Sequence, residues 1–419
     1  MLISDVRPWG GEPSDLTVED GVITAITPHD PARAAAEDTV AGRGRLALPS
    51  FSDVHCHLDS TRMGLPFRPH TGAPGVWGMM LNDREHWRED EWDVARRAMY
   101  TLGRMIERGT TRVRSYAQID ADCGLERFEG VLAAKEAHAG RCEVEIMAFP
   151  QAGLLREKGV PELMDRALSS GAAVVGGIDP CTLDRDPVRH LDIVFGLAER
   201  HHAPVDIHLH EPGALGVFSV DLILERVRAL DMAGRVTLSH AYDLGSVNEA
   251  TTRRLIEEFA ELDIAMATVA PARHHSLPLA DLTAAGVRVG LGEDGQRDFW
   301  SPYGNGDMLD RTWQLAFTNG YRADTLIEHT VAVATMGGAS ILQGGPPRLT
   351  STTDRPGVTV GARADLLLLE GETVTSAVMD RSEDRTVLHE GRVVSDALTL
   401  GAGSRVKPAQ PRHFSPSGA

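Results

Sequence analysis

Between residues 49 and 345 the chain alternates short apolar runs with longer amphipathic ones, and this alternation restricts its architecture more than any other feature. Eight runs read as strands: 46–55, 111–116, 143–149, 172–178, 204–208, 235–239, 263–269 and 286–291. Helical spacing of apolar residues fills several intervals, as in Glu91 to Arg108, Leu125 to Ala139, Pro187 to His201 and Asn248 to Leu262. Strand and helix in regular alternation imply parallel pairing with right-handed crossovers. Eight such units in roughly 300 residues match a (β/α)8 barrel. An open doubly wound sheet is the competitor. It calls for a Gly-rich phosphate loop after the first strand, and His55-Cys56-His57 stands there instead.

The flanks follow another pattern. Ile3 to Val6, Leu16 to Val18 and Gly21 to Ile26 read as short strands, and so do 357–360, 365–369, 385–388 and 391–394. No clear helix lies between them. Residues 1–48 and 346–401 are therefore expected to build one small β-sheet domain together, and the polar, Pro-containing segment 402–419 to be a disordered tail. The 42 basic and 60 acidic residues give a net charge of −18, which repels polyanions and argues against nucleic acid or an anionic membrane as partner. The N-terminus has no basic start followed by an apolar core, and no apolar run reaches 18 residues. Four scattered cysteines, none in a Cys-x-x-Cys spacing, fit reduced thiols in a cytoplasmic protein.

Chemistry gathers at strand ends. Side chains in a strand alternate faces, so His55 and His57 point the same way. That pair alone says little in a chain with 17 histidines. Three more strand ends add to it: His208 after the fifth strand, His240 after the sixth, and Asp294 after the eighth. In a barrel all of these ends open on one face, where the βα loops form the active site. Imidazoles and a carboxylate brought together in this way suit Zn²⁺ or Fe²⁺ with a position left for water. Such an ion lowers the pKa of the water toward neutrality and so supplies hydroxide.

The order His-x-His, His, His, Asp on strands 1, 5, 6 and 8 resembles the amidohydrolase superfamily, metal-dependent hydrolases on a (β/α)8 barrel with a small β-sandwich built from both termini. Within it the chain is most similar to the cytosine deaminase branch. The stretches that carry the likeness are His55-Cys56-His57-Leu58-Asp59, Ala148-Phe149-Pro150-Gln151, His208 with Glu211, Ser239-His240, and Asp294 with Trp300 six residues on. The resemblance implies one divalent ion, Zn or Fe, held by His55, His57, His208 and Asp294. It also implies that His240 hydrogen-bonds the hydroxide and Asp294 takes its proton. Strand 4, Ala173 to Ile178, has no Lys or Glu to bridge a second ion, so a mononuclear site is expected. Glu211 is the expected proton shuttle, since one carboxyl group can protonate a ring nitrogen and then the departing amine. Gln151 offers an amide donor and acceptor to a lactam edge. Trp300 suits stacking on a flat heterocycle or a structural place in the core. His210 shares a strand face with His208, and its role stays open. Homo-oligomers are common in the family, although no residue here indicates one.

The chain departs from cytosine deaminase in three places. Gly295 stands where the family has a second Asp that touches the pyrimidine, Glu293 where it has a histidine, and Arg114-Ser115-Tyr116-Ala117 where relatives often place His-Val-Asp. Loss of the carboxylate at 295 is expected to enlarge the pocket and remove a polar contact. Three functions follow. The first is an aminohydrolase that releases ammonia from a small amino-substituted N-heterocycle. The second is hydrolysis of a substituted amine, as in the N-alkylammelide amidohydrolases, or of a cyclic amide. The third is a metal-binding scaffold without activity. Pro180-Cys181 has no second cysteine to form a Pro-Cys-x-x-Cys, which excludes the small zinc cytidine deaminases.

Overall fold

The structure, a computed structural model, describes residues 1–32, 39–70, 72, 75–272, 276–342 and 348–401; the expected tail 402–419 and the expected domain boundary at 345/346 lie outside them. The N-terminal segment forms β1 (Leu2–Pro8), β2 (Ser14–Glu19), β3 (Val22–Pro28) and β4 (Thr39–Pro49). The barrel strands are β5 (Phe51–Cys56), β6 (Thr110–Gln118), β7 (Glu143–Phe149), β8 (Val174–Ile178), β9 (Val205–Leu209), β10 (Val236–His240), β11 (Ala265–Thr268) and β12 (Val289–Leu291). The C-terminal segment supplies β13 (Leu366–Leu369), β14 (Arg385–His389), β15 (Arg392–Asp396) and β16 (Thr399–Leu400).

Strands β5 to β12 pair in sequence order, each parallel to its neighbour. The ring closes where a parallel bridge joins Cys56 to Asp294 and the Asp294 N–H donates to the His55 carbonyl at 2.7 Å. Closure demands close approach. A Cβ at Gly292 would lie 2.5 Å from the His55 Cβ, so only glycine fits beside the first strand. The expected helices stand at Val94–Glu107, Glu126–Ala137, Pro187–His201 and Glu249–Glu261.

The small domain is one continuous eight-stranded sheet in the order β16-β15-β14-β13-β4-β1-β2-β3, with both termini contributing. Its central pair also faces the barrel. Leu46, Leu48, Leu367 and Leu369 join the main core, while their alternates Ala47, Leu366 and Leu368 fill a separate core on the opposite face. Buried ion pairs fasten the two: Arg385 grips Asp307 through both guanidinium nitrogens at 2.8 and 2.9 Å, and Arg112 reaches Asp365.

Three sequence expectations needed correction. The run 46–55 is two strands in two sheets, divided at Ser50. Residues 357–360 form turns rather than a strand, with Val358 buried and Val360 exposed. A helix, Val374–Asp380, lies between β13 and β14; Thr373 and Ser376 cap its start reciprocally. Among the described residues, Asp324–Leu342 is also long and apolar enough to cross a membrane, which the sequence reading passed over; it is 78% buried within the protein, as a core helix is.

Candidate active site

A cavity of about 1310 Å³ opens at the C-terminal ends of the barrel strands. His57, His208, His240 and Asp294 line it, and His55 lies fully buried at its floor. The His55 ring sits 4.5 Å from the His208 ring, 4.7 Å from His240 and 5.5 Å from His57, centroid to centroid. The Asp294 Oδ1 is 3.4 Å from His57 Nε2 and 3.6 Å from His55 Nε2. Candidate ligand atoms of His55, His208 and His240, and of His55, His57 and Asp294, fall within 4.8 Å of one another. His240 and Asp294 have left-handed backbones, φ 68° and 62°, conformations costly for residues with a Cβ and held here by the strand ends.

Both ring nitrogens of His55 and both of His208 are buried without a hydrogen-bond partner. Four orphaned imidazole nitrogens buried at the floor of the cavity are costly in a bare protein, because each forgoes its hydration. A divalent cation facing these rings would take one nitrogen from each and relieve that part of the cost, so the residues present fit a metal. The electrostatics agree. Burial, with neighbouring imidazoles adding to it, pushes His208 and His240 well below the usual range, and burial takes His57 down to about 4, leaving neutral donors. Burial alone would raise the Asp294 carboxyl, but His55 and the surrounding histidines outweigh it and hold the group well below its usual value.

The other expected residues separate. Gln151 and Trp300 line the cavity, and the Gln151 side chain makes no hydrogen bond among the described residues. Glu211 does not reach the cavity wall. Its Oε1 accepts from the Cys181 N–H, the Thr182 N–H and the Thr182 hydroxyl, and its Oε2 from the Ser219 hydroxyl. These bonds engage both of its carboxylate oxygens. His210, left open by the sequence, borders the cavity with its ring 4.3 Å from that of His240. Asp179, directly after β8, accepts the His210 backbone N–H at 2.7 Å and lies 2.8 Å from Nδ1. Burial opposes a charge on His210, yet Asp179 prevails and raises its pKa.

The sequence reading missed Asp179, Tyr116 and Asp298. The Tyr116 ring packs edge-on to His55 at 4.3 Å and to His208 at 4.5 Å, beneath the site. Its hydroxyl joins Asp206 at 3.1 Å and Ser239 at 2.9 Å, and Asp206 pairs with Arg114 inside the barrel. Beside Gly295 stands the Asp298 carboxylate, and a Cβ at 295 would come well inside 3.0 Å of it.

A model of the amidohydrolase family matches residues 76–395. Over 299 residues the chain is 34% identical to the uncharacterized Escherichia coli protein YahJ, covering 71% of this chain but only 65% of that one, just under two thirds of its length. The N-isopropylammelide isopropylaminohydrolase structure from Burkholderia multivorans superposes with a TM-score of 0.88 at 35% identity, covering 96% of this chain and 99% of that one. The 5-methylcytosine deaminase structure from Klebsiella pneumoniae, liganded with phosphonocytosine, gives 0.80 at 26% identity over 94% and 98% of the two chains.

Proposed function

Since the chain belongs to the amidohydrolase family, we propose that it hydrolyses an exocyclic C–N bond of an amino-substituted lactam N-heterocycle, using one divalent ion held by His55, His57, His208 and Asp294. The observation that carries this reading is the set of orphaned His55 and His208 nitrogens at the floor of an open cavity. The ion, Zn or Fe, supplies Lewis acidity that acidifies water at neutral pH.

The chain's own groups do the rest. His240, kept neutral by burial, and the ionised Asp294 are placed to take the proton from the attacking water. His210 replaces Glu211 as the donor to the departing amine, since Asp179 holds its ring and favours its charged form. Gln151 presents an unengaged amide to the lactam edge, and Trp300 offers a face for the ring.

The leaving amine has two readings. An alkylamine is supported by the N-isopropylammelide enzyme at 35% identity, and ammonia by the 5-methylcytosine deaminase at 26%. The experiment is release of isopropylamine and ammonia from N-isopropylammelide, 5-methylcytosine and cytosine by zinc- or iron-loaded protein. Amine from one compound, abolished in Asp294→Asn, supports the reading. No amine from any of them would overturn it.

A further inference from the structure

Position 295 is glycine, and its φ lies outside the left-handed range, so backbone geometry does not require glycine there. What excludes a side chain is Asp298, whose carboxylate stands where a Cβ at 295 would project. This carboxylate is built in from both sides. Its Oδ1 accepts the Trp300 and Ser301 backbone N–H groups at 2.8 Å each, which fixes the loop that carries Trp300. Its Oδ2 accepts the Ser60 hydroxyl at 3.0 Å and no other donor among the described residues. The residue lines the cavity alongside Asp294, Gln151 and Trp300 while remaining only 6% exposed.

We propose that Asp298 is the specificity-determining acceptor of the cavity, taking a ring N–H of the substrate on Oδ2. The inference rests on the heterocycle reading above and narrows its substrate class to rings that present an N–H on the side of Asp298 while Trp300 covers a face. Geometry supports it first: two backbone N–H groups set the carboxylate in one orientation, so no side-chain freedom is lost on binding. Satisfaction supports it second. A nearly buried carboxylate oxygen with one donor gains from another, and burial pushes this carboxyl up to about 7, a cost that an incoming N–H relieves. A ring methylated at that nitrogen would leave Oδ2 as it is and add a clash. Discrimination by a polar site is sharpest when its own group would be left unpaired.

The test uses metal-loaded protein with N-isopropylammelide and its ring-N-methylated analogue. The wild type is expected to prefer the N–H compound by on the order of tenfold or more in KM. Asp298→Asn keeps an acceptor for the Trp300 and Ser301 N–H groups but turns an amide toward Ser60 and the cavity. It should keep its metal and lose most of that preference through KM, with kcat changing less. Ser60→Ala, which leaves the acceptor in place, should retain the preference. An unchanged preference in Asp298→Asn overturns the inference, as does a wild type that does not distinguish the two rings. If neither compound is turned over, the reaction is what has failed. Calorimetric Kd values for the same pair then decide the role of Asp298, and equal affinity or no binding counts against it.

Discussion

Arg114 lies inside the barrel beneath the histidine cluster, 3% exposed, donating to Glu145 at 2.6 Å, Asp206 at 2.9 Å and Thr237 at 3.2 Å. Replacing it with Met keeps the aliphatic stem and removes the charge. Asp206, fully buried, would then keep only the hydroxyls of Ser239 at 2.7 Å and Tyr116 at 3.1 Å. Breaking a buried pair by removing one partner costs about 3–5 kcal/mol, mostly from the charge left behind. A chain of 419 residues unfolds with an entropy near 0.9 kcal/mol/K at about 2.1 cal/mol/K per residue, so the melting midpoint should fall by about 3–6 °C. The double variant Arg114→Met/Asp206→Leu removes both charges and should recover much of that loss. Tyr116 hangs from Asp206 and packs on His55 and His208, so the single variant should also bind zinc more weakly. The assay is calorimetric melting with and without zinc for wild type, both singles and the double. Additive losses in the double, or a single-variant shift under 1 °C, would refute the reasoning.

Four further outcomes are expected. His329 is fully buried, and burial takes its pKa to about 4 against 6.5 when unfolded. Its folded pKa is depressed, so below pH 6.5 the unfolded chain takes a proton that the folded one refuses, and stability falls until about pH 4. At 1.36 kcal/mol per unit the loss is about 3 kcal/mol, and His329→Gln should flatten that part of a urea-unfolding pH profile. Gly292→Ala forces a Cβ to 2.5 Å from the His55 Cβ and 2.6 Å from its carbonyl oxygen; about 1–3 kcal/mol and most zinc binding should be lost, read by melting and metal content. Stripping the ion with a chelator should lower the melting midpoint, and zinc at a hundredfold over Kd should restore about 2.7 kcal/mol. Glu211→Gln puts an amide against the donors of Thr182 and Ser219 and should destabilise by about 1–3 kcal/mol while turnover persists; His210→Asn should do the reverse. Loss of turnover in Glu211→Gln at unchanged stability would return the shuttle to that carboxylate.

The barrel was legible because its strands are buried on both faces and so read as apolar runs, and because His-x-His alternation reports a strand end directly. The same rule misled at 46–55. Strand-forming residues resume at Phe51 directly after Pro49 and Ser50, yet the chain leaves one sheet there and enters another, and hydrogen-bond partners mark the change. The Val374–Asp380 helix was within reach, since Thr373 and Ser376 form a reciprocal cap, but seven residues are too few to show a helical period. The clustered residues His55, His57, His208, His240 and Asp294 could be picked out from spacing because each lies at or just past a strand end. Asp179 and Asp298 could not, nor could the partner of His210. Asp179 sits one residue past β8 and meets His210 only through the pairing of β8 with β9, and Asp298 meets Gly295 only through a loop turning back on itself. Glu211 shows the opposite failure: its offset from His208 suggested the cavity, while the chain before the helix Gly213–Ala229 turns it toward Thr182.

The most direct test of the account is a titration of metal-free protein with zinc or iron, following bound ion per chain and amine release from the best substrate together. Turnover should rise in proportion to metal, level off at one ion per chain, and vanish with binding in His55→Ala and Asp294→Ala. Full turnover in the metal-free protein, or a plateau reached only at two ions, would contradict the single centre built by His55, His57, His208 and Asp294.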